Sequence, residues 1–339
     1  MTVLVTGAAG FLGSHVTARL VTHRARPRAL IHPGDDAGWL AQAGLDICTA
    51  DIGRCDRAAI APALAGMDCV VHCAARTGPW GPASEYERTN VRGLETLVRA
   101  AMVAGVRRFV HVSSITVHGN NVRGEADENS PLRVEPNPYS RSKVAGEKLL
   151  RRMIRDEGAP VTIVRPGWIY GPRDTASFAR IARMIGQGRM PLIGSGENHL
   201  PLIHASDVVE GLLLACEAEQ AEGRSYLLVN DQPVTQRDFL TAIAAELGVP
   251  APKRRIPYGL AVTLGGVCEH LGRLTRRRQP PPVMRYGLQL LGGDNRFAIS
   301  RARRELGFSP LIGLTEGIAS SVAWYRDAYR VPAPVKVPA

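Results

Sequence analysis

Lysine is scarce in this sequence of 339 residues, where only four of the 42 basic residues are lysine and the other 38 are arginine. The arginines are spread along almost the whole chain, which indicates a compositional preference rather than one basic binding surface. The net charge of +11 is therefore weak evidence for a polyanion, and we expect no nucleic-acid partner. The densest cluster, Arg273 with 276–278, is typical of a solvated face, with an acidic substrate or an anionic membrane surface as the alternative.

Paired cysteines and long apolar runs are also missing. The six cysteines form no C-x-x-C pair and have no metal-like spacing to histidine. We therefore expect buried thiols without disulfides, no metal site and, because no secretory leader pattern is present, a reducing cytoplasmic location. The most apolar later stretch, 256–271, is interrupted by Glu269 and His270 and is too short to span a bilayer. Contact of residues 256–278 with a membrane surface stays open.

Short β-branched runs alternate with helical patterns through the first half of the chain. The strand-like runs are 3–6, 28–31, 45–49, 69–73, 109–113 and 161–164, and helical spacing covers 11–23, 84–104 and 138–157. This alternation predicts an α/β fold over residues 1–165, a doubly wound parallel sheet of the Rossmann type. Residues 166–330 are predicted to form a smaller, mostly helical lobe, with helices at 206–218 and 235–247 and a strand at 225–229 that could return to the sheet. Residues 331–339 are expected to be a loose tail.

A glycine-rich loop follows the first strand-like run and opens the first helix. Its sequence, T-G-A-A-G-F-L-G, places Gly7 at the tight turn, Gly10 where backbone approaches a pyrophosphate, and Gly13 where the helix contacts the strand. The first helical residues, Phe11 and Leu12, offer free N–H groups at the positive end of the helix dipole. The loop predicts a dinucleotide site, with a simple tight turn as the alternative.

The adenosine end of that site contains a histidine. His32 ends the second strand-like run, where an acidic residue would hold the ribose 2′-hydroxyl. Because no carboxylate stands there to repel a 2′-phosphate, NADP(H) is favoured over NAD(H), although 35–36 are both aspartate. Asp51 and Ile52, after the third run, are placed to bracket an adenine ring, although Asp51 could equally cap a helix.

Tyr139 and Lys143 are four residues apart in a helical segment and therefore share one face. A nearby ammonium favours the tyrosinate, so we expect Lys143 to lower the pKa of the Tyr139 phenol. The phenol can then exchange a proton with a substrate hydroxyl or carbonyl. The alternative is a solvated helical pair. The fifth run ends in Ser113 and Ser114, where a hydroxyl could hold the reacting oxygen.

Several motifs, taken in order, resemble those of the extended short-chain dehydrogenase/reductase superfamily. They are the glycine loop, the strand end at 74–75, N-V-x-G at 90–93, S-S-I-T-V-H-G at 113–119, Y-x-x-x-K at 139–143 and R-P-G-W-I-Y-G-P at 165–172. The resemblance implies an oxidoreductase in which Ser114 is the catalytic hydroxyl, Tyr139 the general acid/base, and Lys143 its tuner and a ligand of the nicotinamide ribose. It also implies that Asn90 supports the central helix. The implied cofactor lining consists of Cys73, Ala74, Ala75, Ser113, Pro166 and Ile169.

Five segments resemble the 3β-hydroxysteroid dehydrogenase-like branch of the superfamily more closely: the loop 75–81, G-S-G-E-N at 194–198, I-P-Y-G-L-A at 256–261, P-P-P-V-M-R at 280–285 and F-A-I-S-R-A-R-R-E-L-G-F-S-P at 297–310. This branch is similar to sterol-4α-carboxylate 3-dehydrogenases and 2-alkyl-3-oxoalkanoate reductases. The segment 194–204 lacks the R-D-F that nucleotide-sugar enzymes of the superfamily usually carry there. The resemblance implies interconversion of a 3-hydroxy and a 3-oxo group on a hydrophobic substrate, with decarboxylation where a β-keto acid forms. The candidate substrate residues, for which packing and surface charge are the alternative roles, are Arg76, Trp80, Tyr170, Asn198 and Arg285.

Two other functions stay open. A nucleotide-sugar epimerase or dehydratase would retain its cofactor and show no net change in nicotinamide absorbance. A non-catalytic dinucleotide sensor could dispense with Tyr139 and Lys143. In the superfamily, helices that match 84–104 and 138–157 form a four-helix interface, so the resemblance also implies a homodimer.

Overall fold

The structure, a computed structural model, describes residues 1–122 and 124–331. From residue 332 onward, the predicted tail lies outside the described residues. The strands of the described chain are β1 Val3–Thr6, β2 Arg28–Ile31, β3 Asp46–Thr49, β4 Cys69–His72, β5 Arg108–Val112, β6 Glu125–Ala126, β7 Val161–Pro166, β8 Trp168–Tyr170, β9 Leu192–Ile193, β10 Leu202–His204, β11 Ser225–Leu228, β12 Arg255–Ile256 and β13 Arg296–Phe297.

The helices complete the chain between these strands. They are α1 Phe11–Thr22, α2 Gly38–Gln42, α3 Arg57–Leu64, α4 Ala83–Glu87, α5 Leu94–Val103, α6 Pro138–Glu157, α7 Phe178–Gly186, α8 Ala205–Glu217, α9 Gln236–Leu247, α10 Tyr258–Leu274, α11 Arg285–Gly292, α12 Ser300–Leu306 and α13 Leu314–Tyr329. Short 3₁₀ turns cover Ile115–His118 and Glu219–Ala221, and a π-helix covers Arg88–Gly93. The single helix predicted over 84–104 was wrong in this detail, because the π-helix joins α4 to α5.

Seven parallel strands form the main sheet, in the order β11-β7-β5-β4-β1-β2-β3. Successive side chains of a strand point to opposite faces of a sheet. Val3 and Val5 accordingly pack in one core layer with α1 and α8, while Leu4 packs in the other with α3, α5 and α6. The predicted doubly wound α/β sheet is confirmed, and apolar layers on both faces explain why its strands lack an alternating pattern.

The strand order reverses between β1 and β4. The chain leaves β1 towards β2 and β3 on one side, and continues from β4 to β5, β7 and β11 on the other. The loops after the carboxyl ends of β1 and β4 therefore diverge and leave a crevice between them, which is where ligands bind in open α/β sheets. The glycine loop begins directly after β1.

A second apolar core holds the later helices together. Phe178 of α7, Phe239 of α9 and Val322 of α13 are among its buried residues. The edge strand β11 pairs with β7, so a strand from beyond residue 165 belongs to the main sheet. The division of the chain at 165 stays a prediction. Within residues 1–122 and 124–331, no helix has the combined length and apolarity that crossing a membrane requires.

Candidate active site

The glycine loop makes a close turn at the crevice. Gly7 adopts a positive φ of 64°, and a Cβ there would lie 2.9 Å from the Cα of Ala74, just beyond the end of β4. A Cβ at Gly13 would collide with the carbonyl oxygen of Gly7. The sequence thus lets α1 start directly against the end of β1. Because the first N–H groups of a helix have no intrahelical partner, those of Phe11 and Leu12 are available to an anion.

The part of the crevice beside β2 and β3, where the sequence predicts the adenosine, contains side chains that can carry opposite charges. His32 Nε2 lies 3.7 Å from a carboxylate oxygen of Asp51, and Arg54 Nε lies 3.3 Å from the same oxygen. Asp35 accepts a hydrogen bond from the backbone N–H of His32 at 3.0 Å, so a carboxylate stands at the end of β2 after all. Arg54 was not among the predicted site residues, although its position three residues after Asp51 is a signal that the sequence carries. The neighbouring Ile52 is buried.

Helix α6 carries Tyr139 and Lys143 on one face. The helix starts where the side chain of Asn137 accepts a hydrogen bond from the N–H of Ser140, with proline at the first helical position, and it ends at the left-handed Gly158. The Nζ of Lys143 lies 5.9 Å from the centroid of the Tyr139 ring. Residues next to each end of the helix thus determine where it starts and stops, and the helix covers the predicted residues 138–157.

The expected direction of the Tyr139 pKa is wrong for the chain on its own. Burial raises the pKa of this phenol to about 12, opposed by a hydrogen bond between the hydroxyls of Ser114 and Tyr139. Lys143 is not among the groups that lower this pKa, since its Nζ lies 5.9 Å from the ring centroid and donates a hydrogen bond at 2.8 Å to the carbonyl oxygen of Val112. The loss of hydration therefore outweighs the distant ammonium, and the phenol is protonated at neutral pH.

Lys143 itself is almost inaccessible to water. Burial lowers its pKa to about 8, although the carboxylate of Glu147 favours the charged form. Nearby, burial also lowers the pKa of His72 to about 3 and raises that of the Cys73 thiol to about 12. His72 and the Cys73 thiol are thus uncharged at neutral pH, so the carboxylate of Glu147 is the nearby negative charge that favours the Lys143 ammonium.

The two serines after β5 face different partners. Ser114 lies beside Tyr139 and also accepts a hydrogen bond from the N–H of Thr116 at 3.2 Å. The hydroxyl of Ser113 instead donates at 2.6 Å to Glu147, which forms a fully buried ion pair with Arg165. This difference agrees with the choice of Ser114 over Ser113 as the reacting hydroxyl, and the hydroxyl of Ser113 is occupied away from the cofactor crevice.

Asn90 links α6 to the loop after β4. Its amide nitrogen donates hydrogen bonds to the hydroxyl of Ser142 at 2.8 Å and to the carbonyl of Arg76 at 2.9 Å, and its oxygen accepts from the N–H of Arg76 at 2.8 Å. The start of this loop is held at Ala74, whose N–H donates a hydrogen bond at 3.1 Å to the hydroxyl of Thr6. Asn90 therefore connects helix α6, which carries Tyr139, to the loop after β4.

The later helices bring an aromatic ring to Tyr139 that the sequence analysis did not identify. Tyr286 of α11 meets Tyr139 edge to face, with ring centroids 6.3 Å apart. Next to it, Arg285 pairs with the buried Glu269 of α10 at 3.1 Å. Trp80 packs against Gly272 and donates its indole N–H to the carbonyl of Arg277 at 3.1 Å. Since 286 is remote in sequence from 139, no local pattern could have indicated this contact.

The other predicted residues lie in more structural surroundings. Arg76 forms an ion pair with Glu85 at 2.7 Å. Tyr170 is buried in the second core against His204 and Phe239, and the amide of Asn198 donates to the carbonyls of Leu291 and Gly293. These contacts disfavour direct roles for Tyr170 and Asn198 in substrate binding. Three residues that were predicted to line the cofactor lie at or near strand ends. Ala75 follows β4 and is half-buried, Pro166 ends β7, and Ile169 lies in β8.

A family model describes this arrangement. The model of the NAD dependent epimerase/dehydratase family matches residues 3–228. The chain belongs to this family. The superfamily expected from the motifs is thereby confirmed, and with it an oxidoreductase that acts on a CH–OH or C=O group with a nicotinamide dinucleotide.

Individual relatives of this family cover the chain almost completely. A 2-alkyl-3-oxoalkanoate reductase of Stenotrophomonas maltophilia is 29% identical over 95% of this chain and 100% of its own. A dTDP-glucose 4,6-dehydratase of Streptomyces griseus is 31% identical over 95% of this chain and 93% of its own. Among solved structures, that of gox2253 matches with a TM-score of 0.81 and 29% identity, covering 98% of this chain and 99% of the other.

The residues at the crevice fit a nicotinamide dinucleotide. The glycine loop leaves no room for a Cβ at Gly7 or Gly13, so backbone N–H groups lie open where a pyrophosphate needs them. Lys143 carries a charge at the sheet end, within reach of the same crevice as Ser114 and Tyr139. The glycine loop would hold the pyrophosphate, 32 and 51–54 the adenosine, and Lys143 the nicotinamide ribose.

Proposed function

We propose that the protein interconverts a 3-hydroxy and a 3-oxo group on a hydrophobic substrate, either sterol-like or a β-keto/β-hydroxy acid, with NADP(H) preferred over NAD(H). The observation that carries the substrate class is the edge-to-face contact of Tyr286 with Tyr139. The later helices thus present an aromatic ring to the reacting phenol, and Trp80 lies at the contact of the loop after β4 with α10. Such a wall favours an apolar molecule over a sugar diphosphate.

Residues of this chain carry out the proton transfer. A bound nicotinamide dinucleotide supplies or accepts the hydride. Tyr139, which is protonated at neutral pH, donates its proton to the substrate oxygen in the reductive direction and recovers it from solvent. Ser114 donates a hydrogen bond to the same oxygen and polarises the carbonyl. Burial raises the pKa of Tyr139 to about 12, so at pH 7 the phenol carries the proton that the reductive direction requires.

The neighbourhood of Asn198 is poorly suited to a diphosphate. The Asn198 amide is committed to backbone carbonyls, and His199 lies 2.8 Å from the carboxylate of Asp294. A carboxylate at this point repels phosphate oxygens. A nucleotide-sugar dehydratase is nevertheless the second candidate, since the dTDP-glucose 4,6-dehydratase matches over nearly the whole chain and Arg296, 3.2 Å from Asp294, could supply a cation.

A substrate panel with a matched variant tests the function. Purified protein is given NADPH or NADH with 3-oxo acids, 3-oxosteroids, UDP-sugars and dTDP-sugars, and nicotinamide absorbance and products are followed. We expect net oxidation of NADPH with a 3-oxo compound. Tyr139→Phe should abolish turnover and leave cofactor affinity unchanged, while the exposed Tyr329→Phe is the control. Turnover of sugar nucleotides without net cofactor oxidation would establish the second candidate, and unchanged turnover in Tyr139→Phe would exclude the assigned role.

We also infer a homodimer in the cytoplasm. The support for the dimer is that α5 and α6, the helices that the resemblance assigns to the interface, pack together on one face of the sheet. The support for the cytoplasm is that all six cysteines are free. Sedimentation velocity should give twice the mass of the chain, 36.5 kDa. A single species of monomer mass at micromolar concentration would contradict the dimer.

A further inference from the structure

One face of α10 exposes large aliphatic side chains to solvent. They are 50–66% exposed, and they are Leu260, Leu264, Val267, Leu271 and Leu274. With about 100° between successive residues of a helix, these positions fall within an arc of about 80°. They make up five of the eleven large apolar side chains that are exposed in the described part of the chain. The exposure is therefore concentrated in one stripe, which we call the α10 apolar face.

The opposite face of the same helix is small and packs on the protein. Its buried residues are Ala261, Gly265, Glu269 and Gly272. Gly265 lies against α11, where a Cβ would come within 2.8 Å of Leu288. The helix thus turns its small residues inward and its large apolar residues outward, the reverse of a helix that stabilises a soluble core. The outward stripe calls for a partner other than this chain's own core.

Positive charge flanks the stripe at both ends. Exposed cations stand at 253–255 before the helix, and four more, Arg273 and 276–278, stand near its end. The only acid between 253 and 278 is Glu269, whose carboxylate is buried and lies 3.1 Å from Arg285. The exposed surface around the α10 apolar face is therefore cationic, and a partner that covers it needs apolar groups beside negative charge.

We propose that the α10 apolar face docks on the surface of a lipid bilayer that contains anionic headgroups. The 17 residues of α10 are too few to cross a bilayer and suit a helix that lies in the interface, with aliphatic side chains in the acyl region and cations at the headgroups. A second copy of this chain is poorly suited to cover the α10 apolar face in the same way. Its own seven cations would lie against the seven at 253–255, 273 and 276–278. The helices assigned to the homodimer lie elsewhere.

Docking in this position places the aromatic side chains Trp80 and Tyr286, which are proposed to face the substrate, near the membrane. Trp80 contacts Gly272 in the last turn of α10 and Arg277 just after the helix, and α11 carries Tyr286 to Tyr139. An apolar substrate could then pass from the bilayer to the site along these helices. This link to the substrate rests on the proposed function, whereas the docking itself can be measured without any substrate.

Vesicle binding tests the docking. Full-length protein is mixed with vesicles of phosphatidylcholine alone or of phosphatidylcholine with about 30% phosphatidylglycerol, and the bound fraction is measured by flotation. We expect binding to the anionic vesicles that weakens as salt rises. Leu264→Ser with Leu271→Ser should reduce partitioning about 25-fold, since each half-exposed leucine contributes about fivefold. Arg277→Gln with Arg278→Gln should reduce partitioning by a similar amount, about fivefold for each charge removed.

Matched variants separate docking from general effects. Val103→Ser with Leu311→Ser removes two apolar side chains that are 83% and 78% exposed outside α10, and Arg189→Gln with Arg224→Gln removes two exposed arginines elsewhere. Both should bind vesicles like the wild type, and all variants should unfold at the wild-type temperature. The proposal is overturned if the wild type does not bind anionic vesicles, if the control pairs lose as much binding, or if the α10 substitutions change only self-association. None of these results depends on turnover.

Discussion

Tyr286 meets the ring of Tyr139 edge to face, at 6.3 Å between centroids, so its ring covers part of the half-buried Tyr139 side chain. We expect Tyr286→Ala to admit water, to lower the pKa of Tyr139 towards its ordinary value and to reduce kcat/KM about tenfold through lost packing. Tyr286→Phe keeps the ring and should behave like the wild type. The pH profiles of kcat/KM for the two variants distinguish the cases, and cofactor affinity should be unchanged in both. Equal profiles would contradict the shielding role.

Asn90 connects the loop after β4 to α6 through three hydrogen bonds. Asn90→Ala leaves the backbone groups of Arg76 without these partners, and we expect a loss of about 1–3 kcal/mol in the free energy of unfolding together with a lower kcat. Ser142→Ala removes only one of the bonds and should cost less in both quantities. Urea unfolding and steady-state kinetics on the two variants measure the effect. A full kcat in Asn90→Ala would show that α6 keeps its place without this side chain.

The Glu147–Arg165 pair is completely buried, with Arg165 Nη2 at 2.6 Å and Ser113 also donating to the carboxylate. Glu147→Gln leaves an uncompensated charge inside the protein and should lower the free energy of unfolding by about 3–5 kcal/mol. Replacement of both partners, Glu147→Leu with Arg165→Met, should cost less than the single change. The exposed Asp156→Asn, which disrupts a surface pair with Arg155, is the control and should change stability little. Urea unfolding at pH 7 provides the comparison.

Acid should destabilise the fold through buried histidines. Burial lowers the pKa of His204 to about 4, so below its unfolded value of about 6.5 the unfolded chain takes up the proton first. Stability therefore falls between about pH 6.5 and 4, by at most about 1.4 kcal/mol per pH unit for this group. Asn can replace the cap that His204 gives α8 but cannot titrate. Urea unfolding from pH 7 to pH 5 should show a shallower slope for His204→Asn, and an identical slope would contradict the assignment.

Arg54 should discriminate between the two dinucleotides. Its guanidinium stands beside Asp51 and His32, where a 2′-phosphate would add charge-assisted hydrogen bonds. We expect Arg54→Ala to weaken NADPH binding about tenfold and to leave NADH binding unchanged. Fluorescence titration with both dinucleotides is the measurement, and Arg189→Ala is the control. If NADH binds more tightly than NADPH to the wild type, Asp35 at the end of β2 decides the preference instead.

The sheet and α6 could be predicted because their signals are local. Runs such as 69–73 are apolar on both faces of a sheet, and Asn137, Pro138 and Gly158 mark the ends of α6 within a few residues of sequence. The π-helix at 88–93 has nearly the same apolar spacing as an α-helix and gives no separate signal. The contact of Tyr286 with Tyr139 and the raised pKa of that phenol depend on long-range packing, so neither follows from residue spacing. Asn198 and Tyr170 were chosen by position, whereas hydrogen bonds and burial determine their surroundings.

The loop that follows β4 is anchored at both of its ends. Asn90 fixes it at Arg76, and the indole of Trp80 fixes it to the carbonyl of Arg277. Swinging this loop outward would break all of these hydrogen bonds in one motion. The loop consequently forms a fixed boundary of the crevice, and a separation of this loop from the segment that follows α10 requires the loss of the hydrogen bond between Trp80 and Arg277.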